Sequence, residues 1–94
     1  MKYEFMGIIK PFLPEDVRVK LQENIKKRII DVSGSIIDED IWGKRHLAYK
    51  IKGHEEGYYI LFNIELPKGK LDEVIRELRT ENDLLRYIFV KAEV

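Results

Sequence analysis

Three observations predict that this chain folds as an α+β protein with one four-stranded antiparallel sheet and two helices on one of its faces. Two segments place apolar residues every three or four positions, four others are apolar throughout or alternate, and the six follow one another as strand, helix, strand, strand, helix, strand. The length, 94 residues, predicts one domain spanning 1–94, because a chain this short buries only roughly 60–65% of its unfolded surface and cannot build two lobes around a cleft. With no cysteine, disulfides and thiolate zinc sites are excluded, and the apolar core alone must hold the fold. Residues 1–94 contain no signal-peptide pattern and no long apolar run, so the expected location is cytoplasmic, with no membrane partner.

Residues 2–9 combine Tyr3 and Phe5 with β-branched Ile8 and Ile9, and Pro11 and Pro14 close the segment, which reads as a buried strand. Pro14, Glu15 and Asp16 open a helix whose apolar positions are Val17, Leu21, Ile25, Ile29 and Val32; Gly34 is expected to end it at positive φ. Residues 35–52 read as a long strand with Gly43 as a bulge, placing Arg45, Leu47, Tyr49 and Ile51 on one side and Lys44, His46, Ala48, Lys50 and Lys52 on the other. Residues 53–57 read as a glycine-bounded hairpin loop. In the returning strand, Tyr58, Ile60, Phe62, Ile64 and Leu66 form the face assigned to the helices, with Tyr59 and Leu61 opposite. Leu71, Val74, Ile75 and Leu78 define the second helix, Asn82 and Asp83 mark its end, and residues 86–90 form the last strand. This order, βαββαβ, is the split βαβ sandwich of the ferredoxin-like type.

Such a sheet has one open face, yet the first and last strands are apolar on both sides: Met6 and Ile8 alternate with Phe5 and Ile9, and Ile88 and Val90 with Tyr87 and Phe89. The surplus predicts a covered patch, and hence a protein partner or self-association.

Candidates for catalysis are few. Ser33 and Ser35 flank Gly34 as turn residues, and His46 or His54 would have to reach them from a distant strand. Asp38, Glu39, Asp40, His54, Glu55 and Glu56 match no metal-binding loop, and the first helix lacks the glycine-rich anion loop of acyl-phosphate hydrolases. No enzyme activity, cofactor, metal or small-molecule substrate is expected.

Phosphate binding is better supported. The chain balances 17 basic against 17 acidic residues, but residues 44–52 contain Lys44, Arg45, Lys50 and Lys52 with His46 and no acid. Trp42 and Tyr49 lie in or beside this run. Cations neutralise phosphates and aromatic faces stack on bases. The competing reading is an edge strand guarded by lysines. Stacking of RNA across the sheet, as in the RNA-recognition motif, fits poorly: Glu56 stands where a basic residue precedes the glycine, and Phe62 lies on the core face.

The segment Ile41-Trp42-Gly43-Lys44-Arg45-His46-Leu47-Ala48-Tyr49-Lys50-Ile51, followed by Glu56-Gly57-Tyr58-Tyr59, resembles the signature of the family of the sixth protein of the bacterial small ribosomal subunit. Tyr3-Glu4, the helix entry at residues 11–15 and Leu85-Arg86-Tyr87-Ile88-Phe89-Val90-Lys91 extend the resemblance over nearly the whole chain. The resemblance implies a ferredoxin-like fold and a structural role without catalysis. It also implies binding to the central domain of small-subunit ribosomal RNA, in a heterodimer with small-subunit ribosomal protein eighteen. Carried over by position, it places Trp42, Lys44, Arg45, His46, Tyr49, Lys50 and Arg86 near RNA or the partner, and the basic run adds Lys52. Core packing is the competing role for Leu47 and Tyr49. Lys50 stands where many members have proline, and the sequence to Val94 lacks the acidic tail that some members extend with glutamates, so that modification is not carried over. The alternative from another class is a ligand-binding or regulatory module that self-associates through its open sheet face.

Overall fold

The computed structural model describes residues 1–92, in the expected order: β1 (Lys2–Ile9), α1 (Glu15–Asp31), β2 (Ser35–Ile51), β3 (His54–Glu65), α2 (Leu71–Leu78) and β4 (Leu84–Lys91). The reading made at Val94 lies outside the described residues. The four strands form one antiparallel sheet in the order β2-β3-β1-β4, which puts β1 in the interior with β3 and β4 on either side.

The helices cover the face that the periodicity assigned to them. Phe5, Ile9, Ile60, Phe62 and Ile64 from the sheet meet Leu21, Ile25 and Ile29 of α1 and Val74 and Leu78 of α2 in one cluster, each 5% exposed or less. Burial of this kind stabilises by roughly 1.5–3 kcal/mol per large apolar side chain. Phe5 sits at the centre, stacked on Phe62 at 5.8 Å and tilted against Phe89 at 5.0 Å between ring centroids. Across the top of the two helices, Arg28 donates to Glu77 at 2.8 Å and Glu81 at 3.1 Å.

Pro14 stands at the N-cap of α1, extended at φ −54° and ψ 147°, and Glu15 and Asp16 place negative charge against the exposed amides of the first turn. The other end differs from expectation. Ser33, at φ 68°, and not Gly34, takes the left-handed conformation that stops the helix. Gly34 is required for another reason: a Cβ there would stand 2.7 Å from the carbonyl oxygen of Ile29 and 2.8 Å from that of Glu65. The chain passes through a gap bounded by backbone, which cannot yield.

The hairpin joining β2 to β3 is also tighter than a loop over residues 53–57. Ile51 pairs with His54, leaving Lys52 (φ 49°) and Gly53 (φ 84°) as a two-residue turn of the kind that matches strand twist.

Candidate interaction surface

β2 does not keep a strict alternation. Its register against β3 shifts between Ile36 and Asp38, between Ile41 and Gly43, and between His46 and Ile51. Gly43, at φ 80°, supplies the expected bulge. Each extra residue turns the following side chains to the other side, so Ile36, Glu39, Ile41 and Lys44 all lie opposite helix-side residues of β3: Ile64, Phe62, Ile60 and Tyr58. The third shift is the largest, with residues 47–50 lying opposite Glu55 alone.

This irregular segment carries the hairpin end over the open face. Leu47, Ala48, Tyr49 and Ile51 line a concavity of about 460 Å³ together with Met6, Ile8, Tyr59, Arg86 and Ile88. Arg86 of β4 donates from Nη1 to the Tyr49 hydroxyl at 2.7 Å, although β2 and β4 are opposite edges of the sheet. Gly57 makes the arrangement fit, because a Cβ at that position would overlap the Cγ2 methyl of Ile8. Part of the apolar surplus on β1 is therefore covered by the chain's own hairpin. Ile88 and Val90 remain 56% and 49% exposed. Leu47, 9% exposed, packs on the open side with Ile8 and not in the helix-side core; Tyr49 is 63% exposed.

The singled-out residues are consequently divided between surfaces. Trp42 stacks on Tyr59 with ring centroids 6.1 Å apart and planes 13° from parallel, and its indole N–H donates to Asp40 at 3.0 Å. Lys44 pairs opposite Tyr58 and holds its ammonium 4.5 Å above the Phe12 ring. Arg45 pairs opposite Gly57 and donates to the Lys44 carbonyl at 3.3 Å. His46 lies opposite Glu56, and Lys50 approaches Glu55 to 3.8 Å. Lys52 occupies the hairpin turn. The acid-free run thus has two glutamates on the facing strand, and among the described residues Tyr49 and Arg86 are the pair of singled-out residues joined by a side-chain to side-chain hydrogen bond. Even so, among the described residues Lys44, Arg45, Lys52 and Arg86 form no ion pair with a carboxylate.

The acids of β2 are engaged individually. Asn63 donates to Asp38 at 2.6 Å, Trp42 to Asp40, and Lys26 of α1 to Glu39 at 3.0 Å. Among the described residues no group of three His, Cys, Asp or Glu converges on a common point. Ser35 and His46 pair with Glu65 and Glu56, nine positions apart on β3, which separates them by ~30 Å. Two residues that sequence reasoning passed over belong to this region: Phe12, 73% exposed in the β1–α1 turn, and Arg18, whose guanidinium lies 4.4 Å above the Tyr58 ring. Nothing in the periodicity distinguishes Arg18 from the other cations of α1.

Fold and surface together define a class: a small ferredoxin-like protein with aromatic and cationic side chains displayed on a long hairpin and an open sheet face. The chain matches the family described as Ribosomal protein S6 over residues 2–91. It is 40% identical over 92 residues to small ribosomal subunit protein bS6 of Dictyoglomus turgidum, covering 98% of this chain and 95% of that one. It is 37% identical over 91 residues to the bS6 protein of Caldanaerobacter subterraneus, covering 97% and 96%. The crystal structure of 30S ribosomal protein S6 from Thermotoga maritima superimposes with a TM-score of 0.91 at 32% identity, covering 97% of this chain and 86% of the other. The chain belongs to the ribosomal protein S6 family. It is accordingly a structural, non-enzymatic constituent of the small ribosomal subunit, associated with ribosomal RNA and protein in the cytoplasm.

Proposed function

We propose that this protein binds the central domain of small-subunit ribosomal RNA as a heterodimer with small-subunit ribosomal protein eighteen. In this reading Lys44, Arg45, Lys50, Lys52 and Arg86 supply phosphate contacts, and Trp42, His46 and Tyr49 line the RNA or the partner. The observation that carries it is the set of cations without carboxylate partners. A protein of zero net charge leaves Lys44, Arg45, Lys52 and Arg86 without ion-pair partners among the described residues, around one hairpin and the sheet edge it reaches. Phosphates are the partners that such donors fit. The apolar part of the open face, Ile88 and Val90 above all, is the surface assigned to the protein partner.

The test is reconstitution on a central-domain RNA transcript, with and without protein eighteen, across a salt titration. The heterodimer is expected to bind more tightly than either protein alone, with a slope reflecting a few phosphate contacts. Lys44→Glu with Arg45→Glu is expected to abolish binding while leaving heterodimer formation intact. Unchanged RNA binding by that variant overturns the hairpin assignment. A tight homodimer that ignores both RNA and protein eighteen favours the self-associating module instead.

A further inference from the structure

The helix-side flank of the hairpin holds two cation–aromatic pairs in series. The Lys44 ammonium lies 4.5 Å above Phe12, Lys44 pairs across the strands with Tyr58, and the Arg18 guanidinium lies 4.4 Å above Tyr58. The four side chains come from three parts of the chain: the β1–α1 turn, the first half of α1, and the hairpin.

Arg18 shares α1 with three cations whose partners are carboxylates. Lys26, Lys27 and Arg28 are matched to carboxylates at 2.8–3.2 Å. Arg18 and Lys44 have none among the described residues, although Glu56 precedes Tyr58 by two positions on the same side of β3. A ring face positions a cation without cancelling its charge or using its N–H donors. Arg18 is further constrained, since its Nε is buried without a hydrogen-bond partner among the described residues. Phe12 is the second anomaly. Among the described residues it is the most exposed large apolar side chain, at 73%, and it stands between Pro11 and Leu13-Pro14, where two prolines restrict the backbone. Lys44 stands over the ring, which nonetheless keeps most of its surface in solvent.

We infer that Phe12, Arg18, Lys44 and Tyr58 form a second RNA-contact site, on the helix side of the hairpin. Phe12 stacks on an unpaired base, and Arg18 and Lys44 bind the phosphates flanking it. An exposed ring beside two unneutralised cations is the composition of a site for single-stranded nucleic acid. The inference rests on the RNA-binding reading given above and adds a contact that the open face and hairpin tip do not make: RNA grips the hairpin from both sides.

The experiment uses the heterodimer and the same RNA transcript. Phe12→Leu keeps an apolar side chain of similar reach and removes the ring; it is expected to weaken RNA binding roughly tenfold with little change in salt slope. Arg18→Gln is expected to lower the slope by about one counterion. Phe12→Trp is expected to restore or exceed wild-type affinity. Binding to protein eighteen and thermal stability are expected to be unchanged in all three. RNA affinity unaffected by Phe12→Leu and Arg18→Gln, while Arg45→Glu lowers it, overturns this site and leaves the hairpin reading in place. Loss of protein-partner binding in place of RNA binding also overturns it. If neither these variants nor Arg45→Glu alter RNA binding, both readings fail together.

Discussion

The hydrogen bond from Arg86 Nη1 to the Tyr49 hydroxyl, 2.7 Å long, joins the two outer strands of the sheet across its open face. The Arg86 guanidinium also lies 5.9 Å from the centre of the Tyr49 ring. The hairpin end is thereby held down as an arm over Met6 and Ile8. Tyr49→Phe removes the acceptor and keeps the ring. Because both residues are exposed, the expected cost in global stability is below about 1 kcal/mol. The effect is expected in local opening: amides of residues 47–51 exchange with solvent several-fold faster, while those of β1 are unchanged. Hydrogen exchange read residue by residue checks this.

Gly57→Ala forces a methyl against the Ile8 Cγ2 group. Overpacking of this kind costs about 1–3 kcal/mol. In chemical denaturation, Ile8→Ala made in the Gly57→Ala background is expected to recover part of that loss. The two changes are therefore expected to be non-additive, which separates the steric account from a general weakening of β3.

Ser33 and Gly34 are expected to respond in opposite directions. Ser33→Gly relieves a left-handed conformation at φ 68° and is expected to stabilise by about 0.5–1 kcal/mol. Gly34→Ala drives a Cβ onto two backbone carbonyls and is expected to destabilise by more than that amount. Thermal melting of the two variants checks both signs.

Lys26 links α1 to β2. Burial lowers its pKa, but hydrogen bonds to Glu39 and Glu23, and the charges of those two groups, outweigh burial and raise it above the ordinary 10.5. A cation whose pKa is raised on folding contributes fully below pH 10.5 and loses that contribution as the pH rises through the folded-state value. Stability measured above pH 10.5 is therefore expected to fall more steeply for the native protein than for Lys26→Met. High salt is expected to narrow the difference.

The element order and the helix-side core were legible because they depend on periodicity within a segment. Ile60, Phe62 and Ile64 on one side of β3, and Leu21, Ile25 and Ile29 on one side of α1, are buried where their spacing put them. β2 was not legible in the same way. Its register depends on its partner, and of its three shifts only the one at Gly43 is marked by a glycine. The insertion at residues 47–50 carries no local signal, so the alternation assigned to the basic run placed Lys44 and Arg45 correctly apart but did not show the arm. Glycine was misread twice for one reason. Gly34 and Gly57 look like turn residues, yet each is there because another part of the chain comes too close for a Cβ. Close approach is a tertiary property, and a single sequence does not display it.

The interior place of β1 has a bearing on synthesis. This strand is made early, but its two neighbours are β3, which begins at His54, and β4, which begins at Leu84. The β2–β3 hairpin is complete by Glu65, whereas β1 gains its second neighbour only once β4 has been made, Leu84 to Lys91. Phe5 and Ile9 must therefore wait, apolar and unpaired, for strands translated long after them. The core closes late, and the nascent chain spends most of its elongation with its central strand exposed to whatever else in the cell binds apolar segments.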